Sequence, residues 1–229
     1  MSEGVSIVSF ENVTVDGPPA YETAVRDVTF QVNPGELVLI NIGEHYSHVP
    51  LADTAEGLVL SSLGRVQFLG RDWSQLNPME GAACRGTIGR VFESHGWISN
   101  LDMDENITLP LYHHTTRPME DIVRDAEQLA KEFGFAELPR MRPARMKRSD
   151  LRRAEWVRAF LGDPHLVILE NPMREVYADG LGLLTGAIEK VRQRGAAVLW
   201  ITTDLELQNF KDVNPSKVYA LRGQEIKES

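Results

Sequence analysis

The sequence has one cysteine, Cys84, and its first lysine is Lys131. A lone cysteine excludes an internal disulfide framework and suits a reducing compartment, where Cys84 reads as an unreactive thiol. No apolar run approaches the roughly twenty residues that a bilayer-crossing helix needs, and the N-terminus lacks the basic-then-apolar layout of a signal peptide, so a soluble, cytoplasmic protein is expected. Internal repeats and low-complexity segments are absent. Positive charge is scarce too: 24 Lys and Arg stand against 33 Asp and Glu, a net charge of -9. Phosphate binding to nucleic acid is driven by clustered Lys and Arg, so no nucleic-acid partner is expected, although a local basic patch stays open. What is present is enough apolar residue, 42% of 229, for a sizeable core in one large domain or two closely joined lobes.

The patterning is that of an α/β chain. Val28, Phe30 and Val32 alternate with polar neighbours before Asn33-Pro34-Gly35, the period of a half-buried strand ending in a turn. Three runs, Leu37 to Ile40, Leu166 to Leu169 and Ala197 to Ile201, are apolar throughout, as expected of parallel strands covered on both faces. Helical spacing places Ile122, Ala126, Leu129 and Phe133 on one face, with Pro118 suited to the first turn and Gly134 to the end. Ser149 is the expected cap of a second helix carrying Leu151, Ala154, Val157 and Phe160, stopped by Gly162 and Pro164. Near the C-terminus, Val218 to Leu221 and Gln224 to Ile226 flank Arg222-Gly223 as a hairpin. Many unrelated proteins share this order of elements, so motifs must decide function.

Val25 to Phe30, Asn33 to Leu39, Val91 to His95 with Asn106 to Leu111, and Arg158 to Pro172 stand in one order and at compatible spacing, and together they resemble the ABC transporter ATPase family over nearly the whole chain. Val25-Arg26-Asp27-Val28-Thr29-Phe30 and Asn33-Pro34-Gly35-Glu36-Leu37-Val38-Leu39 look like the strand, turn and strand that lead into the phosphate loop. Gly57-Leu58, then Leu63-Gly64-Arg65-Val66 through Gly70-Arg71-Asp72, are similar to the segment after it. Val91 to His95 with Asn106-Ile107-Thr108-Leu109-Pro110-Leu111 resembles the Q-loop region and the start of the helical subdomain. Arg158 to Pro164 and Leu166 to Pro172 resemble the helix after the signature loop and the Walker B strand. The resemblance implies a single ABC-type nucleotide-binding domain over 1–229. It would have a RecA-like parallel-sheet core and an N-terminal antiparallel β part in 1–91 and 161–229, and a helical subdomain in 92–160. The phrase from Ile107 to Leu111 is closest in flavour to ATPases of lipid or lipoprotein transporters.

The same resemblance exposes what the chain has replaced. A working phosphate loop needs glycines that let backbone N–H groups wrap phosphates, a Lys on the terminal phosphates and a Ser or Thr on Mg²⁺. The matching stretch, Ile42 to Pro50, has the single glycine Gly43, with His48 at the Lys position, then Val49 and Pro50. With no lysine before Lys131, no shift of register supplies one. Glu93 stands where the family has the Q-loop glutamine, and Glu170 replaces the Walker B Asp, a change that could still hold Mg²⁺. Asn171 takes the place of the Glu that polarises water, and an amide cannot accept that proton. Thr203 occupies the switch-histidine position and Tyr177 that of the D-loop Asp. The signature loop reads Met146-Lys147-Arg148-Ser149-Asp150, without the glycines that admit a close backbone approach. No catalytic residue is therefore expected, and ATP and Mg²⁺ binding should be weak or absent, because phosphate binding, metal binding, water activation and cross-subunit closure are all affected.

His45 with His48, and His113 with His114, invite a metal reading. No cysteine lies near either pair and no third ligand is evident, so solvated histidines and no metal site are expected. Trp97, Ile98 and Leu101 read either as core or as the lining of the groove that receives a membrane subunit in the family. Three functions follow. The first is a non-catalytic subunit, peripheral on the inner face of the membrane, that forms a homodimer, or a heterodimer with an intact ABC ATPase, and docks on an integral membrane permease. The others are an ATPase with a remodelled site and a soluble interaction module without a transporter.

Overall fold

The computed structural model describes residues 5–17, 21–46, 48–176, 180–204, 207 and 212–229. Two sheets organise it. β1 (Val8–Val15), β2 (Val25–Val32), β4 (Leu63–Phe68) and β5 (Arg71–Asp72) form an antiparallel sheet in the order β2-β1-β4-β5. The second sheet has the order β10-β9-β3-β8-β7-β6. In it β3 (Leu37–Asn41), β6 (Ile88–Val91), β7 (Leu166–Glu170), β8 (Ala197–Thr202) and β9 (Lys217–Arg222) run parallel, and β10 (Glu225–Glu228) turns back as the C-terminal hairpin.

The continuous apolar runs follow from this layering. Successive side chains of a strand point to opposite faces. Leu37, Leu39, Val167, Leu169, Val198 and Trp200 enter the core shared with the helices. Val38, Ile40, Leu166, Ile168, Leu199 and Ile201 enter the core between the two sheets. Both faces are dry, so neither can carry polar residues cheaply. A charged residue in such a strand therefore has to be paired, which is the situation of Arg90 in β6.

The helices cover the first of these faces. α3 (Met103–His114), α4 (Met119–Glu132) and α5 (Arg148–Phe160) pack on one another, and α6 (Leu181–Gln193) lies between β7 and β8 in sequence. α4 buries Ile122, Ala126 and Ala130 along one stripe and is followed by Gly134 at φ +82°, a left-handed stop that favours glycine. Pro118 is its N-cap. The expected cap of α5 is corrected: the helix starts at Arg148 with Lys147 as N-cap and no side-chain cap, so Ser149 sits inside the first turn. Among the described residues two further short α-helices are α1 (Leu51–Ala55), directly after Pro50, and α2 (Pro78–Arg85), held by an Asn77/Glu80 capping box. Among the described residues no helix is long and apolar enough to cross a membrane.

Candidate functional site

The site forms where the C-terminal ends of β3, β6, β7 and β8 meet the loops that follow them, the edge at which open parallel sheets place ligands. The loop after β3 is folded on itself. Gly43 has φ +76°, and its N–H donates to Asn41 Oδ1 at 2.8 Å. The His48 N–H donates to Glu22 Oε2 at 3.3 Å, while the Glu22 N–H donates to the His48 carbonyl at 3.2 Å. Val49 is buried, and Pro50, which has no N–H, receives the Thr54 N–H and hydroxyl on its carbonyl. The Tyr21 ring lies tilted against the His48 ring, with centroids 4.9 Å apart.

The centre of the site is a residue that the motif reading missed. Arg90 projects from β6, and its guanidinium meets Asp53 Oδ1 at 2.6 Å, Glu56 Oε2 at 2.8 Å and Glu170 Oε2 at 2.8 Å. Its side chain is only 4% exposed and lies 4.6 Å from the Phe92 ring. The Tyr21 hydroxyl closes the group by donating to Asp53 Oδ2 at 2.7 Å. Burial alone would raise the Asp53 carboxyl, but the Arg90 charge and the Tyr21 donation hold it below the ordinary carboxylate range. Glu170 goes the other way: burial pushes its pKa up, and Arg90 only partly offsets this. The signal was present in the sequence, since a lone Arg between Gly89 and Val91 in an otherwise apolar strand must find buried carboxylates.

A second cluster begins one residue later. Asn171, at φ +43°, donates from Nδ2 to Glu93 Oε2 at 2.7 Å and accepts the Thr203 N–H on Oδ1 at 2.8 Å and the Thr203 hydroxyl at 3.2 Å. Arg174 pairs with the other oxygen of Glu93. Glu93 and Asn171 thus match each other: a carboxylate at 171 would oppose the carboxylate at 93, whereas an amide donates to it.

The remaining sequence candidates lie around these clusters. Met146 packs on the helical core, Lys147 and Arg148 are exposed, Asp150 pairs with Arg153, and Arg148 reaches Glu175 at 3.4 Å. Arg152, fully buried in α5, donates to the Phe92 carbonyl at 2.6 Å and the Glu93 carbonyl at 3.3 Å, fastening that helix to the end of β6. Trp97 is half-buried under the Arg158 guanidinium, 4.3 Å from its ring, and Leu101 is half-buried, while Ile98 is 43% exposed. Asn106 holds this stretch by bonding both the N–H and the carbonyl of Ile98. The structure therefore joins His48, Glu170, Asn171, Glu93 and Thr203 in one region and sets the Trp97 to Leu101 stretch at the end of the loop that leaves it. Tyr177 lies outside the described residues. Among the described residues no group of three His, Cys, Asp or Glu side chains is placed to hold a metal ion.

The arrangement of the two sheets and the helical layer matches known structures. The chain has the fold of an ATP-binding cassette. The dimeric structure of MJ0796, a bacterial ABC transporter cassette, superimposes with a TM-score of 0.83 at 19% identity, covering 97% of both chains. A post-hydrolysis dimer of the same cassette, bound to ADP and Pi, gives the same values. An ATP-binding subunit of an ABC transporter gives a TM-score of 0.81 at 18% identity, covering 98% of this chain and 90% of that one. No known family profile matches the sequence.

Proposed function

We propose that this cassette is a non-hydrolysing subunit that pairs with a second cassette, itself or an intact homologue, and docks on an integral membrane permease. The observation that carries the reading is the ion pair between Arg90 and Glu170. The carboxylate at the Walker B position is already neutralised by a buried guanidinium from the neighbouring strand, where a cassette at work would keep it for Mg²⁺. The residues present do not fit Mg-ATP. His48 offers one donor in place of a lysine ammonium, the Gly43 and His48 amides are spent inside the protein, and the Asn171 amide is committed to Glu93 and Thr203. No hydrolytic step is assigned to this site.

Pairing is supported by the dimeric cassettes that share the fold. Docking is supported by the exposed Ile98 beside Trp97 and by the turn pattern from Val91 to Leu111. The Ile107 to Leu111 phrase favours a transporter of the lipid or lipoprotein class. The test is to purify the full chain with its membrane partners and measure ATP hydrolysis and Mg-ATP binding. Absence of both, with recovery of a permease, supports the proposal. Turnover by the chain alone would establish a remodelled ATPase, and a soluble protein that never recovers a membrane partner would establish an interaction module.

A further inference from the structure

His95 lies in the loop after β6 with one ring nitrogen toward each of two carboxylates. Nε2 is hydrogen-bonded to Glu175 Oε2 at 3.3 Å, and Nδ1, which has no hydrogen-bond partner, lies at ion-pair distance, 3.3 Å, from Glu155 Oε2. A neutral imidazole has one N–H and one lone pair. With a carboxylate on each side, the lone pair would face negative charge whichever tautomer formed, so this geometry calls for the doubly protonated ring.

We propose that His95 is a proton-operated latch that fastens the loop after β7 to α5. The two carboxylates belong to different parts of the molecule. Glu155 is fully buried in α5, while Glu175 sits in the loop after β7 and has φ +69°, a backbone conformation that disfavours a side chain. That loop also carries Asn171 at φ +43°, a conformation Asn adopts more readily than most side chains, so the strained position in it is Glu175. The charges that face His95 are few. Glu155, Arg152 and Arg158 come from α5, with Arg152 Nη1 at 2.7 Å and Arg158 Nη2 at 3.8 Å from the Glu155 carboxylate. Arg148, at the start of α5, and His95 share Glu175. Glu93 and Arg174 pair with each other beside the loop.

The contact with Glu155 holds the His95 imidazole above its ordinary pKa, with burial and the Arg152 charge opposing and Glu175 adding to the rise. The sign follows from linkage: a raised folded value means that the latch is fully made below roughly 6.5, the free histidine value, and is lost as pH rises through the folded value. Above that point the neutral ring has one N–H for two carboxylates, so the bridge between Glu155 and Glu175 is broken at one end and the loop is held less firmly.

The test uses the full chain. The ring-proton NMR titration of His95, assigned by the signal lost in His95→Gln, is followed alongside amide hydrogen exchange over 171–176 at a series of pH values, corrected for intrinsic rates. The expected result is a His95 midpoint above that of free histidine. Protection of the loop should fall across the same midpoint, about tenfold for each pH unit by which the folded value exceeds the unfolded one. Glu175→Gln, at a partly exposed position, should fold normally, lower the midpoint and remove the step, which guards against poor folding of His95→Gln. A midpoint at or below that of free histidine, or loop protection that does not change across it, overturns the proposal.

Discussion

Arg90 and Glu170 lie on neighbouring parallel strands, and the Arg90 Nη2 is 2.8 Å from the Glu170 Oε2 in a setting where neither side chain is more than 7% exposed. The strand register pairs Arg90 with Ile168, so the guanidinium reaches along the sheet to the end of β7 and meets the carboxylate at the strand-end site. The protein thereby sets a buried cation from its own chain against this carboxylate.

Removing that cation should be costly. Arg90→Met leaves Asp53, Glu56 and Glu170 facing one another without a counter-charge, and breaking a buried pair this way typically costs about 3–5 kcal/mol. Urea unfolding at neutral pH measures it. Crowded carboxylates have raised folded pKa values, so the deficit should shrink as pH falls and the carboxylates protonate. A loss below about 1 kcal/mol, the level of a surface pair, would mean that the cluster is not a buried charge centre.

Glu93 and Asn171 should behave as a matched pair. Asn171→Glu sets two carboxylates against each other and should destabilise the protein, and adding Glu93→Gln should recover most of the loss. Contacting residues typically show coupling of about 0.5–3 kcal/mol in such a cycle. Additive effects would show that the hydrogen bond between them carries no energy.

Nucleotide should have little effect on stability. A ligand raises the melting temperature only when its concentration exceeds its dissociation constant, so millimolar Mg-ATP is expected to leave Tm unchanged. His48→Lys alone should not produce hydrolysis, because Arg90 still holds Glu170 and the Asn171 amide cannot take a proton from water. A clear Tm rise in the wild type, or turnover by the single variant, contradicts the proposed function.

The Trp97 stretch separates docking from packing. Ile98→Asp changes an exposed side chain, so Tm should hold while recovery of a membrane partner falls by about tenfold or more. Trp97→Ala removes the ring that packs on the helical core and under Arg158, so it is expected to lower Tm as well. Full partner recovery by a folded Ile98→Asp protein would remove this surface from the proposed docking site.

The amino-acid sequence by itself determined the layers of this protein. Apolar runs such as Leu37 to Ile40 read as strands covered twice and are so, the stripe through Ile122 and Ala126 is a helix with one buried face, and Gly134 supplies the left-handed stop that ends it. These are local consequences of period and backbone preference. The positions compared with the family's motifs, His48, Glu93, Glu170 and Asn171, were chosen by their offsets from those elements. What these positions contact was decided only by the tertiary structure. Arg90 lies 37 residues from Asp53 and 80 from Glu170 along the chain, and Asn171 lies 78 from Glu93, so no local pattern relates them. Their pairing depends on strand order and register, which bring distant charges into one dry volume where each must find its counter-charge.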